Sequence, residues 1–590
     1  MCGIAGKLHW GTGFDAELMK KMNHAIRHRG PDDEGILELG NISLGHRRLS
    51  IIDLSAEARQ PMSESTQSCH IVFNGEIYNY REIKEELLKD GYKFRNQSDT
   101  EVVLNAYMKW GVKCLEKFNG MFAFVIWDNK KQELFAARDR FGKKPFYYAF
   151  KNGQFTFASE PKAILEDKTI SRKHDPVALN CYLALGYILA PMSFYSDIKK
   201  LMPAHYIVIK NRGASFEEKP YWDYSNAFRS KTSQSENEIC ENILHHLEKS
   251  VRYRLIADVP VGSFLSGGID SSSIVASVKK INSSPLHTFN IGFEQKSYNE
   301  YDDALKVSQL FNTQHHAKLI GNKDIQSLIN QSVAAFDEPF ADNSLIPMYE
   351  VSKLAAKHVK VVLSGDGADE MFAGYITYKA DNYFKLYKKT PAFLRRSLGK
   401  AFNGMQASED QKIGFKYKMK QFLSGSVDDE IHAHYSWRLF FNPEERIKIL
   451  GEEHRKLVYE TDPVLEFRKH YERVKDLEWL DRHLYVDAMT WLADDILPKV
   501  DRTTMNAGIE ARAPYLDYHF ASYAASIPCH LKLNGGKTKF ILKKSLEKLL
   551  PKDVLYKKKS GFNAPVGQWI GVKEGDEFKS FNKFVYLSKV

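Results

Sequence analysis

The chain has 590 residues, 43% of them hydrophobic and 27% charged, with a formal net charge of +10. That length is too great for one core and argues for several domains, and the composition is that of an ordinary globular protein. The basic residues are dispersed and alternate with acids, apart from short clusters such as Lys557-Lys558-Lys559, so sites for anionic substrates account for the charge and no nucleic-acid partner is expected.

The amino terminus, MCGIAGKLHW, lacks the apolar run of a secretory signal, and the longest apolar runs, such as Met121 to Trp127, are too short for a membrane span. Cys2, Cys69, Cys114, Cys181, Cys240 and Cys529 are scattered without metal-binding spacing, which fits a reducing, cytoplasmic setting. Cys2 stands apart from the other five. If Met1 is removed, one residue carries both a thiol and an α-amine, and an amine with a reference pKa of about 7.7–8.0 can activate its own side chain.

Downstream come Arg27 to Asp32, then His46 to Asp53, Phe73 to Asn79, and Ser98 to Glu101. Gly30-Pro31 and Asn74-Gly75 are turn chemistry bounding short β-type runs such as Ile71 to Phe73. Gly120 to Asp128 reads as a buried strand, with a turn at Asp128-Asn129 and a second strand at Glu133 to Ala137. Arg138 and Asp139 read as a structural ion pair. Residues near 165–240 read as a connector that includes a strand at Ile207 to Ile209 and a polar, linker-like stretch from Ser225 to Asn237. Glu238 to Arg254 has apolar residues at helical spacing.

The run from Val259 to Ser273 is an apolar strand entering a Ser/Gly loop, Ser266-Gly267-Gly268-Ile269-Asp270-Ser271-Ser272, from which a helix starts. Adjacent glycines let a backbone approach a ligand, and N–H groups at a helix start favour anions. No lysine follows the glycines, so this is not the lysine-ending phosphate loop. Alternating strands and helices follow: His287 to Phe293, Tyr301 to Phe311, His315 to Ile320 and Val361 to Leu363. That alternation predicts a doubly wound parallel sheet. The strand at Val361 to Leu363 runs into Ser364-Gly365-Asp366-Gly367-Ala368-Asp369-Glu370, three carboxylates at the sheet end where ligands sit. Magnesium prefers such carboxylates together with phosphate oxygens. Residues 376–480 are aromatic, basic and helical in character, without identifiable chemistry. Asp494-Asp495, Lys499 to Met505, Gly508 to Asp517, Gly536 to Leu542 and Lys557 to Pro565 complete the distinctive strings.

The amino-terminal strings resemble the class II glutamine amidotransferase domain, an N-terminal nucleophile fold of stacked antiparallel sheets. The serine-glycine loop resembles the pyrophosphate loop of ATP pyrophosphatases. Together, in this order and over nearly the whole chain, they resemble the glutamine-hydrolysing asparagine synthetases. The resemblance implies an amidotransferase domain at 2–210, a linker at 211–240 and a synthetase domain at 241–590. It makes Cys2 the nucleophile, with Asn74 and Gly75 as oxyanion donors, and Arg48, Leu49, Ser50, Ile51, Ile52, Glu76 and Asp99 around the glutamine. Ammonia would pass through an internal tunnel to the second site. There, ATP would be bound by Leu265, Ser266, Gly267, Gly268, Asp270, Ser271, Ile291, Ser364 and Gly365. Mg²⁺ would sit on Asp270 and Asp369, and Lys539 would neutralise charge on the phosphates. Adenylation of a carboxylate and displacement of AMP by ammonia would complete the reaction. A homodimer is an expectation of the same kind.

Asp366 stands where aspartate-using members carry Glu, in a position tied to acceptor chemistry. The acceptor is read as aspartate, with a sugar acid of surface polysaccharides as the alternative. A tRNA-modifying pyrophosphatase would leave the amino-terminal constellation unused, and a degenerate scaffold would not need Cys2, Asp270, Asp369 and Lys539.

Overall fold

The computed structural model describes residues 2–10, 15–295, 298–321, 325–391, 422, 429–557, 564–570 and 577–589. Its first twelve strands are β1 (Gly3–Leu8), β2 (Asp33–Leu39), β3 (Ile42–Arg48), β4 (Met62–Ser63), β5 (Cys69–Ile77), β6 (Gly120–Asp128), β7 (Glu133–Arg138), β8 (Tyr147–Lys151), β9 (Gln154–Ala158), β10 (Lys199–Lys200), β11 (His205–Lys210) and β12 (Ser215–Pro220). They form two antiparallel six-stranded sheets, in the orders β10-β8-β9-β1-β3-β2 and β12-β11-β7-β6-β5-β4. The alternation of side chains along each strand sends one set of residues between the sheets. Ile4, Leu44, Val72, Val125, Trp127, Phe157 and Ile207 meet there in a fully buried layer. The opposite face of β5 and β6 is apolar too, because the helix Asp99–Trp110 covers it with Val102, Val103 and Ala106. This accounts for the unbroken apolar run in β6, which is buried on both faces.

Five further strands, β13 (Val261–Phe264), β14 (His287–Phe293), β15 (Gln314–Ile320), β16 (Val361–Leu363) and β17 (Glu510–Arg512), make a wholly parallel sheet ordered β15-β14-β13-β16-β17. Helices cover both faces. One layer includes Glu236–Arg254 and Ile269–Ile281, and the other includes Pro176–Leu185 and Leu345–Ala355. The helix Glu236–Arg254 begins at a reciprocal cap between Ser235 and Glu238, and buries Ile239, Ile243, Leu247 and Val251 on one stripe. The fold is therefore α/β, with stacked antiparallel sheets first and a doubly wound parallel sheet second, as the sequence predicts.

The connector reading of residues 165–240 is corrected. The helix Pro176–Leu185 packs in the core beside the parallel sheet, where Tyr182 Oη donates to the Asn582 carbonyl at 2.8 Å. The chain then returns, and β11 pairs with β7 inside the second antiparallel sheet. Within 211–240, β12 pairs with β11, and Ser225–Arg229 is a short helix. The strand expected at Ile207 to Ile209 is present as β11, and what the local sequence does not report is its partner in the sheet.

Helices Ile376–Tyr387, Glu430–Ser436, Pro443–Leu450 and Val464–Arg473 occupy the described parts of 376–480. The Lys558 to Asn563 part of the carboxyl-terminal string lies outside the described residues. Among the described residues, no helix is long and apolar enough to cross a membrane.

Candidate active site

Cys2 immediately precedes β1 and is 7% exposed. Its main-chain nitrogen donates to Asn74 Oδ1 at 2.9 Å, and its carbonyl accepts from Arg29 Nε at 3.3 Å. Burial raises the thiol pKa above its ordinary value, and a hydrogen bond from the Leu49 backbone acts in the opposite direction. Asn74 is fully buried on β5, and its Nδ2 has no hydrogen-bond partner. A buried amide donor left open beside a thiol is costly unless a ligand oxygen takes it. Gly75 follows; a Cβ there would stand 2.1 Å from the Met121 carbonyl oxygen, so only glycine lets β5 and β6 pair at this point.

Glu76 and Asp99 lie beside Cys2 but are not alone. Glu510 of β17 joins them, and Arg512 Nη2 lies 3.4 Å from Glu76 Oε1 while its Nε donates to Glu510 Oε1 at 2.5 Å. Burial raises the Glu76 carboxyl well above the usual carboxylate range, with Glu510 and Asp99 adding to the effect. Asp99 is pushed up to about 7, chiefly by burial, although it accepts from the Ile77 amide at 2.8 Å. Three buried carboxylates gather about the Arg512 guanidinium, with the Lys144 ammonium acting on Glu510, and an excess of carboxylates favours an added ammonium.

Arg48, expected around the glutamine, is the last residue of β3. Its Nη1 donates to the Ser55 carbonyl at 2.9 Å and its Nη2 to the Asp53 carbonyl, so the guanidinium braces the loop that follows β3. That loop carries Leu49 and Ile51 buried and Ser50 and Ile52 half-buried. The Ser50 amide donates to Asp32 Oδ2 at 2.8 Å, and the Ile51 carbonyl accepts from the Asp258 amide at 2.9 Å. Leu49, Ile51, Tyr78 and Met121 pack against Val361 and Met505 from the parallel-sheet half. Arg138 and Asp139 are structural, but not as a pair. Arg138 donates to the carbonyls of Gly142, Lys144 and Leu201, while Asp139 accepts from the amides of Phe122, Phe141, Lys143 and Lys144.

At the carboxyl end of β13, Leu265 is buried and its carbonyl accepts from Asn290 Nδ2 at 2.9 Å. Ser266 and Ser271 close the loop on itself, with the Ser266 amide donating to Ser271 Oγ at 3.1 Å and the Gly268 amide to Ser266 Oγ at 3.3 Å. Gly267 has φ +73°, and a Cβ there would stand 2.4 Å from the Asp303 carbonyl carbon, so this glycine is demanded by packing and conformation together. Gly268 sits at the start of the helix Ile269–Ile281 and faces open space apart from Ser266 Oγ. Ile291 lies buried within neighbouring β14. The turn after β16 closes on this loop: a Cβ on Gly365 would stand 2.8 Å from Asp270 Cβ, and the Ser364 amide donates to the Arg512 carbonyl at 2.9 Å.

Asp270 and Asp369 converge on one ammonium. Lys539 Nζ lies 2.6 Å from Asp270 Oδ1 and 2.8 Å from Asp369 Oδ1. Although burial disfavours its charge, the two carboxylates raise the Lys539 pKa above its ordinary value. Lys539 itself has φ +53° at the start of the helix Phe540–Ser545, a left-handed conformation that tertiary contacts must hold in place. Two converging hard oxygen donors fit a magnesium ion.

Asp366 lies half-buried beyond this pair, with its pKa raised by burial and its Oδ2 without a partner. Near it, Lys499 is paired with Asp342. Asp495 is buried without a hydrogen bond on either oxygen, and burial holds its pKa well above the usual range. Glu370 is pushed up to about 7, mainly by burial and then by Asp369. Asp494 and Asp495 lie on a π-helical stretch, Ala488–Ile496, a widened helix that occurs most often at functional sites.

Sequence reasoning quoted but did not assign Glu510, Arg512, Lys499 and Arg29, and passed over Asp342 and Gly374. Glu510 and Arg512 alternate on a three-residue strand with only Ala511 between them, a weak signal of two charges on one face. Gly374 had no signal at all: a Cβ there would stand 1.8 Å from Asp369 Oδ1 and 2.2 Å from Lys539 Cε.

An amino-terminal cysteine fold joined to a doubly wound sheet with a serine-glycine loop defines a two-site amidotransferase-ligase. Residues 1–222 match the glutamine amidotransferase domain family, and residues 242–579 match the asparagine synthase family. The chain belongs to the glutamine-hydrolysing asparagine synthetase family, a family of ligases. It is 34% identical to the glutamine-hydrolysing asparagine synthetase 1 of Bacillus subtilis over 97% of this chain and 88% of the relative. It is 36% identical to a putative asparagine synthetase of Methanocaldococcus jannaschii, covering 86% of this chain and 98% of that one. It is also 28% identical to the amidase chyE of Penicillium rubens, over 97% of this chain and 90% of the relative.

Proposed function

We propose that this enzyme makes asparagine from aspartate, using glutamine as nitrogen donor and ATP in its magnesium form, in the cytoplasm. Once Met1 is removed, the Cys2 thiol attacks the glutamine side-chain carbonyl and its own α-amine takes the proton, which a thiol raised by burial requires. Asn74 Nδ2 and the Gly75 amide receive the developing oxyanion. Glu76 and Asp99 hold the substrate's α-ammonium. Arg48 acts through the loop it braces, Leu49 to Ile52, and turns its remaining face to the α-carboxylate. The ammonia released is neutral and small, and the apolar contact of Leu49, Ile51, Tyr78 and Met121 with Val361 and Met505 suits its passage between the halves.

In the second half, the loop Leu265 to Ser271, with Ile291, Ser364 and Gly365, receives ATP. Asp270 and Asp369 would hold Mg²⁺, which offsets the charge of the phosphates. Lys539 neutralises the leaving pyrophosphate. The acceptor carboxylate takes the α-phosphoryl group, and ammonia then displaces AMP from the acyl-adenylate. Asp366 takes a proton from the attacking ammonia.

The observation that carries aspartate as acceptor is the charge of the pocket beyond Asp270 and Asp369. Asp342, Asp366 and Asp495 gather around the ammonium of Lys499, and Glu370 stands beside Asp495, which the Arg438 guanidinium also faces. Four carboxylates beside two cations suit a substrate bearing an ammonium as well as carboxylates, and a sugar acid lacks that ammonium. The test is purified enzyme with glutamine, Mg²⁺-ATP and aspartate, quantifying AMP and asparagine. Stoichiometric AMP and asparagine are expected. Glutamine hydrolysis without aspartate-dependent AMP would overturn aspartate and leave the amidotransferase reading in place.

A further inference from the structure

Away from both clusters, three histidines meet at the opposite end of the parallel sheet. His287 is the first residue of β14, and His316 lies on β15 in register with Phe289. His358 lies in the segment between the helix Leu345–Ala355 and β16. The serine-glycine loop follows the carboxyl end of β13, whereas His287 pairs with Gly262 near the start of that strand. His287 and His316 are half-buried, and His358 is exposed.

The three rings are stacked. His316 and His358 have centroids 3.8 Å apart, and His287 Nδ1 lies 3.0 Å from His316 Nε2. One ring nitrogen from each histidine lies within 4.8 Å of the other two. Phe289 closes the inner side, stacking on His316 at 5.4 Å. Burial, followed by the neighbouring His358, lowers the pKa of both His287 and His316, and each neutral imidazole offers one lone pair, which a change of tautomer frees from the His287–His316 hydrogen bond.

From this juxtaposition we infer that His287, His316 and His358 form a site for a borderline divalent transition-metal ion of the Zn²⁺, Ni²⁺ or Co²⁺ type. Three neutral imidazoles leave a fourth position to water, a ligand set that such ions accept and Mg²⁺ does not. A tetrahedral ion with bonds of about 2.0–2.1 Å spaces its nitrogens by about 3.3 Å. The observed 3.0 Å pair is already near that value. Rotation about the last side-chain torsion, which is broad for histidine, fans the stacked rings toward a common point. The ion would tie β14, β15 and the approach to β16 together, so its role is structural.

A second cluster, Asp381, His434 and His483, is fully buried but differently committed. His434 already pairs with Asp381 at 2.7 Å and Asp487 at 2.9 Å, and Arg438 supplies positive charge to Asp487 at 2.6 Å. It serves as the control.

The test uses the full chain without a polyhistidine tag, stripped by chelator and returned to buffer with excess Mg²⁺. Zn²⁺ binding is measured by competition with a chromophoric chelator, and Co²⁺ binding by its visible spectrum. One ion per chain is expected, with at least a tenfold loss of affinity in both His316→Ala and His358→Ala and unchanged binding in His483→Ala and Cys2→Ala. His358 is exposed, so its replacement keeps the fold, verified by circular dichroism. Absence of a tight site in the wild-type chain, wild-type affinity in either the His316 or the His358 variant, or loss in His483→Ala or Cys2→Ala instead would each overturn the assignment.

Discussion

Arg29 Nη2 lies 2.8 Å from Asp501 Oδ2, an ion pair between residues 472 positions apart in which both side chains are buried. Arg29 also donates to Glu160 Oε1 at 2.8 Å and to the Cys2 carbonyl at 3.3 Å. Arg502 reaches Glu160 at 2.6 Å and Lys144 reaches Asp501 at 3.3 Å. The backbone at Cys2 is thus bonded to a side chain that is paired with the helix Leu497–Asn506 of the second half. Removing one partner of a buried pair leaves the other uncompensated, at a cost of about 3–5 kcal/mol. Asp501→Asn is expected to destabilise the protein by that order in denaturant titrations. It should also raise the glutamate formed per AMP above one, since the two halves lose a fixed contact. A ratio of one with wild-type stability would sink this account.

Cys2→Ala is expected to lower glutamine-dependent synthesis by at least about a thousandfold, because the proposed reaction needs its thiolate to form the covalent intermediate. Synthesis from added ammonium should persist near the wild-type rate. Equal loss of both would count against separate sites. Intact mass of active protein is expected to show Met1 missing.

Asp270→Asn and Asp369→Asn are each expected to suppress carboxylate-dependent pyrophosphate release by about two orders of magnitude or more while glutamine hydrolysis stays measurable. Each change also removes one carboxylate from Lys539, lowering the raised pKa of that ammonium. Normal pyrophosphate release in both variants would remove the metal assignment.

Gly374→Ala tests the same cluster without touching its charges. The added methyl would collide with Asp369 Oδ1 and Lys539 Cε, so one of them must move. Displacements of this size at a positioned group cost about 10²-fold in rate. Loss of AMP formation with intact glutaminase activity is the expected result, and unchanged AMP formation would show that the convergence is dispensable.

The glutamine site should depend on pH through Asp99, whose carboxyl is pushed up to about 7, mainly by burial. Its folded pKa lies above its unfolded value of about 3.9, so the folded chain holds the extra proton between the two. Its contribution to stability is therefore present at low pH and falls as pH rises from about 4 to about 7. Glutamine binding runs in the opposite direction, because the ammonium needs the carboxylate. The KM for glutamine is expected to fall as pH rises through about 7 and to lose that limb in Asp99→Asn. Persistence of the limb in the variant would assign it elsewhere.

The sequence by itself determined the order of the two chemistries and most of their local elements. An apolar run as long as Gly120 to Asp128 has one low-energy use, a strand buried on both faces, and β6 has those bounds. Local strings such as Ser266 to Ser272 encode much of their own geometry, since the Ser266 and Gly268 amides bond to side chains no more than five residues away. Tertiary structure alone decided what surrounds those strings. Arg512 illustrates the difference. Its carbonyl receives the Ser364 amide while its side chain reaches Glu510 and Glu76, linking the loop after β16 to the pocket beside Cys2. No spacing in the chain reports such a contact, because it depends on β17 lying at the edge of one sheet against β5 of another. For the same reason β11, expected in a connector, became an inner strand. Short strands and lone charges take their roles from neighbours distant in sequence, and their burial exists only once the sheets have come together.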